Sequence, residues 1–391
     1  MAKKIELIAT ATFGLEAVVA REVRALGYEA EVENARVIFQ GDEKAVCRAN
    51  LWLRSADRVL ARIGEFKALT FDELFEKTKA LPWADWLPEN ANFPVEGKSI
   101  KSTLFSVSDC QAIVKKAVVE SMKKKYHRKW FEENGPRYTI EVSLLKDVAT
   151  LTIDTSGAGL HKRGYRRLST TAPLKETLAA AMINLSFWNP ERILLDPFCG
   201  SGTIPIEAAL IGLNAAPGLQ REFAAEKWPV IPQQLWKDAR QEAEDLIQRD
   251  LKLNIRGTDI DPKVMSIARY HAKLAGVNDH VSFQQMPVAD LRNKRKYGCL
   301  ICNPPYGERL EDINDVEHLY REMGQVFKPL DTWSFYVLSS HQNFEKLFGK
   351  RADRKRKLYN GRIECHYYQF YGPRPPRREN APEQEELQSE S

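Results

Sequence analysis

The segment 193-ILLDPFCGSGTIPIEAALIG-212 decides the fold class of this 391-residue chain. An apolar run ends at Asp196, a loop with Gly200 and Gly202 follows, and a helical pattern then begins with Pro205 near its start. The glycines permit a tight turn and let a ligand approach the backbone. The loop is not the G-x-G-x-x-G dinucleotide pattern and has no lysine at the P-loop position. It therefore does not favour a pyrophosphate ligand.

Acidic residues follow the next two predicted strands. In 257-GTDIDP-262, Asp259 closes the second strand, where a carboxylate offers acceptors for two ribose hydroxyls. Asp261 could instead cap the helix that follows. After the third strand, Asp290 either accepts from an adenine amino group or caps a turn. A ribose and an adenine without a phosphate indicate S-adenosylmethionine, with the glycine loop against its methionine part and Asp196 near its ammonium.

The motif 303-NPPYG-307 follows the hydrophobic run 297-YGCLIC-302. The Asn303 side-chain oxygen and the Pro304 carbonyl can hold the two hydrogens of an exocyclic amine, and this biases its nitrogen towards a pyramidal, more nucleophilic geometry. Proline fixes φ and removes a competing donor, and Tyr306 can stack on a flipped base. An isolated Asn-Pro-Pro is a turn signal. Its position after a cofactor-type strand and an acidic strand favours the catalytic interpretation.

The cysteines offer weaker alternatives. Cys299 and Cys302 have zinc-like spacing, but no second Cys/His pair follows and both fall in a predicted buried strand, so we expect no metal. Cys199 could be a nucleophile, but its place inside the glycine loop favours packing beside the cofactor. The six cysteines are scattered, which fits a reducing cytoplasm better than a disulfide framework.

Positive charge is concentrated in two blocks, 101–130 and 350–362, although the net charge is only +5. Such blocks are either contacts for an anionic partner or solvated faces. A third basic cluster lies in 161–167, where an ordinary linker is the alternative to phosphate contacts. The candidate RNA contacts are Lys115, Lys116, Lys123, Lys124, Arg163 and Arg166.

The chain divides into four predicted parts. Residues 1–65 have the order β-α-β-β-α-β, which indicates a ferredoxin-like unit. Residues 66–160 form a second α/β unit, with a helix over 71–81, a strand over 103–107, a helix capped by Ser108 or Asp109, and a hairpin around Lys146 and Asp147. Residues 161–372 alternate strands and helices as in a doubly wound, mostly parallel sheet. Residues 373–391 are predicted to be disordered.

The strands of the third part are predicted at 193–196, 255–259, 281–284, 300–302 and 334–339. An Asn-Gly at 360–361 between two strand-like runs indicates a hairpin, so at least one late strand should be antiparallel. The distance between Asp196 and Asp259 far exceeds the ~20 residues of a minimal βαβ unit, so 217–229 and the helix after it form an insertion. No apolar run approaches the ~18 residues of a membrane helix.

These motifs resemble those of class I methyltransferases that act on exocyclic amino groups. With 160-LHKRGYR-166, 173-PLKETLAAAMI-183 and the two N-terminal units, the chain resembles the THUMP-domain RNA methyltransferases, and among them the bacterial 23S rRNA guanine-N2 methyltransferases. The resemblance implies a Rossmann-like domain and a THUMP unit that grips structured RNA, with 171–175 in the lid of the cofactor pocket. The cofactor contacts it implies are Asp196, Phe198, Gly200, Gly202, Thr203, Asp259, Ile260, Asp290, Thr171 and Lys175.

Three functions follow as hypotheses. The first is N2-methylation of guanine in 23S rRNA, and the second is adenine-N6 methylation of DNA or RNA, which would use the same Asn-Pro-Pro-Tyr residues. The basic N-terminal units favour structured RNA as the substrate, because folded RNA is bound through its shape and its phosphates. They therefore favour the first hypothesis. The third is a non-catalytic RNA-binding assembly factor, which predicts decayed motifs where this chain has intact ones. We expect a cytoplasmic protein, and the sequence leaves a monomer and a weak homodimer both open.

Overall fold

A computed structural model describes residues 4–168, 174–307 and 313–376. Its strands form two seven-stranded sheets. The first sheet begins with the predicted β-α-β-β-α-β order of a ferredoxin-like unit. The elements are β1 (Ile5–Thr10), α1 (Glu16–Ala25), β2 (Glu31–Glu33), β3 (Arg36–Gly41), α2 (Glu43–Trp52) and β4 (Arg58–Lys67).

The second α/β unit extends the same sheet. Its elements are α3 (Phe71–Lys79), β5 (Val95–Ile100), α4 (Val107–Tyr126), β6 (Ile140–Leu145) and β7 (Val148–Asp154). Strand β7 pairs antiparallel with β4, which gives the order β2-β3-β1-β4-β7-β6-β5. Because β4 crosses the predicted boundary between residues 65 and 66, the two N-terminal units share one sheet, and the domain boundaries stay a prediction.

Two predictions in the second unit are wrong. The strand lies at Val95–Ile100, not at 103–107, and Ser106 rather than Ser108 or Asp109 occupies the N-cap position of α4. Strand β5 is an edge strand whose side chains alternate between half-buried and exposed, so its apolar signal is weak. The apolar residues after it lie in a loop, from which Leu104 is buried in the core. The predicted hairpin is present, with Lys146 and Asp147 both at positive φ.

The second sheet has the order β10-β9-β8-β11-β12-β14-β13. The first five strands in this order, from β10 through β9, β8 and β11 to β12, are parallel. The last two, β14 and β13, are antiparallel to their neighbours, as predicted from the Asn-Gly signal. The elements are α5 (Glu176–Asn184), β8 (Leu194–Asp196), α6 (Thr203–Gly212), α7 (Gln233–Asp245), β9 (Ile255–Asp259), α8 (Pro262–Leu274), β10 (Val281–Gln285), β11 (Cys299–Cys302), α9 (Ile313–Phe327), β12 (Ser334–Ser339), α10 (Phe344–Phe348), β13 (Arg354–Asn360) and β14 (Ile363–Phe370).

The chain passes from β8 to β9 on one side and later to β11 on the other. In an open α/β sheet, ligands bind at such a switch point, beyond the carboxyl ends of the strands. The glycine loop follows β8, Asp259 ends β9, and the Asn-Pro-Pro-Tyr motif follows β11. The topology therefore brings the three motifs found in the sequence to one crevice.

The predicted insertion packs against the N-terminal units. Trp228 stacks on Tyr138 with ring centroids 4.4 Å apart, and its Nε1 donates to Arg137 O. Helix α7 lies on α2, where Arg48 pairs with Glu242 at 3.0 Å. The insertion thus fixes the position of the second sheet relative to the first.

Two sequence predictions fall partly or wholly outside the described residues. Thr171, placed in the cofactor lid, is one, and most of the predicted disordered tail (377–391) is the other. Among the residues that the structure does describe, no helix combines the length and apolarity needed to cross a membrane.

Candidate active site

A cavity of about 970 Å³ opens at the carboxyl ends of β8, β9 and β11. The described sequence-predicted residues on its wall are Lys175, Asp196, Phe198, Gly200, Thr203, Asp259, Ile260, Asn303, Pro304 and Tyr306. Gly202 and Asp290 are not among the lining residues. The structure therefore brings most of the predicted cofactor and target residues together in one space.

The glycine loop needs its two glycines for different reasons. Gly200 has φ +50°, and a Cβ built on it would meet no other atom within 4 Å, so its open side is available to a ligand. Gly202 has φ +86° at the N-cap of α6, and a Cβ there would come within 2.9 Å of the Phe283 ring. Gly202 therefore sets the turn into the helix, while Gly200 forms the floor of the cavity.

Asp196 is a buried carboxyl group on the cavity wall, with 1% of its surface exposed. It accepts a hydrogen bond from Phe198 N at 3.1 Å, and burial raises its pKa well above the usual range for an aspartate. No described Lys, Arg or His forms an ion pair with it. A cation that entered the cavity would favour its ionised form.

Asp259 is held in place by two backbone donors. Its Oδ2 accepts from Gly200 N at 3.0 Å and its Oδ1 from Asp261 N at 3.1 Å. A carboxylate has about four acceptor positions, so both oxygens retain capacity for hydroxyl donors. Asp261 caps α8 by accepting from Lys263 N at 2.8 Å, which is the alternative that the sequence left open for it.

Asp290 is exposed at the end of a short 3-10 helix, while Pro287 and Val288 before it line the cavity. The backbone of this segment therefore reaches the site, and the predicted contact of the Asp290 side chain with an adenine stays a prediction.

The Asn-Pro-Pro-Tyr segment forms a second wall of the same cavity. The Tyr306 hydroxyl donates to Asn303 Oδ1 and accepts from Asn360 Nδ2 at 3.5 Å. The Tyr320 hydroxyl donates to Pro305 O at 2.7 Å and so anchors the backbone of the motif. Tyr306 is half-buried against the core, and burial raises the pKa of its phenol. The Asn303 oxygen thus already has one donor in this structure.

Sequence reasoning missed two parts of the wall. One is the tip of the β13–β14 hairpin, where Asn360, Gly361 and Ile363 line the cavity. The other is α9, which contributes Asp315 and Glu322 among other residues. The hairpin was visible in the sequence, but its place beside the site depends on β14 pairing with β12, which no local pattern shows.

The structure argues against a phosphate contact of Arg163, whose side chain is buried, whereas the predicted contact of the partly exposed Arg166 stays a prediction. Arg163 is 3% exposed and pairs with the buried Glu207 at 3.3 Å. Arg166 donates to Thr203 Oγ1 at 2.6 Å and to Leu174 O at 2.8 Å, which ties together two parts of the cavity wall. The spacing of the basic cluster gave no sign of these distant partners.

The other predicted RNA contacts lie on α4. Lys116 and Lys124 are exposed, whereas Lys115 pairs with Glu133 and Lys123 pairs with Glu120. Just beyond the helix, Trp130 is 80% exposed. The helix thus presents cations to solvent and the segment after it presents an aromatic ring, and their contact with RNA stays a prediction.

Cysteine chemistry finds no support in the geometry. Cys299 and Cys302 are buried in β11, and all six thiols are free. Burial raises the pKa of the Cys199 thiol well above its usual range, which opposes thiolate formation. Within the described ranges, no group of three or more His, Cys, Asp or Glu side chains is placed to hold a metal ion.

This crevice, with its glycine loop, its acidic second strand and a mixed sheet whose last strands are antiparallel, defines the Rossmann-like class of methyltransferases. Residues 163–369 match the family described as "RMKL-like, methyltransferase domain", residues 6–60 match the "RlmL ferredoxin-like domain", and residues 68–154 match the "THUMP domain". The chain belongs to this RMKL-like methyltransferase family, and the predicted fold class and family resemblance are confirmed.

Full-length relatives support the assignment. A Bacillus subtilis (strain 168) protein named "Putative RNA methyltransferase YpsC" is 55% identical over 378 residues, which are 96% of this chain and 98% of the relative. A crystal structure described as a "predicted N6-adenine-specific DNA methylase" from Listeria monocytogenes is 58% identical, with TM-score 0.92 and 95% and 97% of the two chains covered. A crystal structure described as "SMU.472, a putative methyltransferase complexed with SAH" is 48% identical, with TM-score 0.92 and 96% and 100% of the two chains covered.

Proposed function

We propose that this protein transfers a methyl group from S-adenosylmethionine to an exocyclic amino group of a base in RNA, namely guanine N2 in 23S rRNA. The observation that supports this most directly is that Asn303, Pro304 and Tyr306 line the same cavity as Asp196 and Asp259. A methyl donor and a base amine bound by these two sets of residues would share one space. The cofactor part rests also on the family and on the relative crystallised with SAH.

The residues of the cofactor wall fit S-adenosylmethionine. Gly200 leaves open space above its backbone, Asp259 retains acceptor capacity for two ribose hydroxyls, and the buried Asp196 has no cationic partner among the described residues. The ammonium of the methionine part would supply that partner. When bound, the cofactor supplies a methyl group on a cationic sulfur, so the protein contributes mainly alignment and electrostatics.

On the other wall, the amine must be held so that its lone pair points at the methyl group. Asn303 Oδ1 and the Pro304 carbonyl are the two acceptors. Tyr306 donates to Asn303 Oδ1 in this structure, and the amide oxygen has a second lone pair for the amine. The amine therefore shares this acceptor with the Tyr306 hydroxyl, and the Tyr306 ring offers a surface on which the base can stack. Asn303 is not a base, so the proton leaves to water after transfer.

The THUMP unit and the cations on α4 support RNA as the substrate. Lys116 and Lys124 are exposed on α4. An exposed aromatic ring such as that of Trp130 suits stacking on unpaired bases. The name of the Bacillus subtilis relative points the same way. The choice of large-subunit rRNA as the substrate and of guanine as the base rests on the sequence resemblance.

Adenine-N6 methylation is the second candidate. The Listeria monocytogenes structure bears that description for DNA, and the same four residues from Asn303 to Tyr306 would serve an adenine amine. Mass spectrometry of nucleosides from rRNA, other RNA and DNA of a deletion strain separates the two. We expect N2-methylguanine to fall in 23S rRNA and to return on complementation. Unchanged N2-methylguanine with lost N6-methyladenine would establish the second candidate instead.

A non-catalytic RNA-binding assembly factor is the remaining hypothesis. Calorimetry with S-adenosylmethionine tests it without knowledge of the substrate. We expect one-site binding by the full chain. No heat of binding by a folded, monodisperse protein would revive the scaffold interpretation.

A further inference from the structure

A row of side chains leads away from the cavity along the edge of the second sheet. Side chains on a strand alternate between its two faces, so Arg354, Arg356, Leu358 and Asn360 of β13 share one face. Asn360 lines the cavity, and Leu358 is fully buried in the core below it. At about 3.3 Å per residue, Arg356 lies roughly 13 Å and Arg354 roughly 20 Å from this wall of the cavity.

Helix α1 of the first unit adds a third arginine. Leu15 and Val18 pack in the same core cluster as Leu358. Arg21 lies three residues beyond Val18, on the same side of the helix, and is exposed. Burial lowers the pKa of Arg356, and the positive charges of Arg354 and Arg21 lower it further. Arg21 of α1 thus lies near Arg354 and Arg356 of β13, and we call these three residues the arginine row.

The charges of this row are not compensated. Among the described residues, no carboxylate forms an ion pair with its three members, and Arg356 Nε is buried without a hydrogen-bond partner. The opposite face of β13 differs, since Lys355 pairs with Glu345 at 2.7 Å and Lys357 with Glu364 at 2.6 Å. Only one face of the strand thus keeps its cations available for an external anion.

An exposed ring lies at the same edge. A Cβ built on Gly14 would come within 2.5 Å of Lys357 O, so the loop before α1 lies directly on β13. Its neighbour Phe13 is 56% exposed. Arginine forks bind phosphate in a bidentate manner, and exposed aromatic rings stack on bases without sequence preference. Together they fit an unpaired nucleic-acid strand better than a small anion.

We propose that the arginine row binds the phosphates of the single-stranded RNA that flanks the target base. This inference rests on the proposed function, because a base that enters the cavity must leave its helix and its neighbours must follow a path out. The row supplies that path within a few nucleotides of Asn360. It also gives the ferredoxin-like unit a role, since Arg21 is its contribution to the path.

The competing explanation is that the charges only protect an edge strand from pairing with other chains. Binding of the full-length protein to a fluorescein-labelled single-stranded RNA of about 20 nucleotides, long enough for one binding groove, decides between them. Fluorescence anisotropy is measured over a series of KCl concentrations. The test variant carries Arg21→Gln and Arg354→Gln, both at exposed positions. Among the contacts described, it loses only the long hydrogen bond from Arg21 to Asn184 O at 3.4 Å, so we expect it to fold.

We expect this double variant to lose about tenfold in RNA affinity at low salt. The slope of log K against log salt should fall by about 1.4, because each phosphate contact contributes about 0.7 on a single strand. The matched control is Arg256→Gln with Lys273→Gln, two exposed cations on β9 and α8, away from the β13 edge. It should bind as the wild type does. The variant with Arg21→Lys and Arg354→Lys should keep most of the affinity.

Unchanged affinity and slope in the Arg21/Arg354 variant, or an equal loss in the control, would overturn the arginine row as a binding surface. The proposed function is judged separately, by calorimetry with S-adenosylmethionine and by nucleoside analysis. If N2-methylguanine is made and the variant binds and methylates like the wild type, the row fails and the function stands. If the variant loses affinity but N2-methylguanine is never made, the row stands and the base is wrong.

Discussion

The two walls of the cavity differ in how ready they are for their ligands. On the cofactor wall, backbone donors from Gly200 and Asp261 already orient Asp259, and Gly200 leaves space open above the loop. On the target wall, the Tyr306 hydroxyl already uses one of the two lone pairs of Asn303 Oδ1. The cofactor can therefore bind to an existing site, whereas the base must share its acceptor with an internal hydrogen bond.

The largest expected effect is on the target wall. Asn303→Ala removes one of two acceptors for the amine, and loss of one oriented hydrogen-bonding group of this kind typically costs about 10²–10³ in kcat. The affinity for S-adenosylmethionine should stay near wild type. Single-turnover methylation of rRNA from a deletion strain measures the first quantity, and calorimetry measures the second.

The control is Asn278→Ala, at an exposed asparagine that bonds only to its neighbour Asp279 among the contacts described. It should leave both quantities unchanged. If Asn303→Ala instead weakens cofactor binding as much as it slows transfer, Asn303 is structural and the two walls are not independent.

The reciprocal change is on the cofactor wall. Asp259→Ala removes the acceptors for the ribose hydroxyls and for Gly200 N, and losing an interaction of this charged kind costs about 1.5–3 kcal/mol. We expect the Kd for S-adenosylmethionine to rise about 10–100-fold, with kcat at saturating cofactor within a few-fold of wild type. Equilibrium calorimetry and saturation kinetics measure the two. A loss of kcat that saturating cofactor cannot recover would contradict a purely binding role.

Some of the residues that line the cavity could be predicted from the sequence and others could not. Asp259 ends β9 and Asn303 directly follows β11, and both strands are recognisable from their own residues. The hairpin tip at Asn360 was not, because it reaches the cavity only through pairing of β14 with β12. Likewise, a basic residue such as Arg163 shows no sign in the sequence of its buried partner Glu207, one helix away.

Edge strand β5 is a further element whose position could not be predicted from local sequence. Its alternation of half-buried and exposed residues is too weak to predict a strand, while the apolar residues of the following loop imitate one. Local patterns thus identify strands that are buried on both faces and miss a half-buried edge strand, whose position depends on pairing with β6.

A pH dependence should arise at Asp196, again on the cofactor wall. Burial raises its pKa in the free protein, while a bound ammonium would favour the ionised carboxylate. Binding of S-adenosylmethionine should therefore release a proton over the pH range below the raised pKa. Affinity should fall as the pH is lowered, by at most about tenfold per pH unit for one proton.

Calorimetry in two buffers of different ionisation enthalpy at one pH measures this proton release directly. Asp196→Asn should bind more weakly and show less buffer dependence. Equal apparent enthalpies in the two buffers for the wild type would mean that Asp196 does not change its protonation when the cofactor binds.

The smallest expected effect tests whether Tyr306 gates the target wall. Tyr306→Phe keeps the ring for stacking but removes the hydroxyl that donates to Asn303 Oδ1. The amine then no longer competes for Asn303 Oδ1 with a hydrogen bond worth about 0.5–1.5 kcal/mol net. We expect KM for RNA to fall a few-fold with kcat nearly unchanged. Tyr306→Ala should instead raise KM, because the stacking surface is lost.

The pair of variants separates three roles of Tyr306. If both lower kcat strongly, the hydroxyl takes part in catalysis, and the target wall is as fixed as the cofactor wall. If both raise KM alike, the hydroxyl itself binds the base. The predicted result is that Tyr306→Phe lowers KM and Tyr306→Ala raises it. Only this result supports a target wall in which the Tyr306 hydroxyl and the base compete for Asn303 Oδ1, whereas Asp259 on the cofactor wall is already in place.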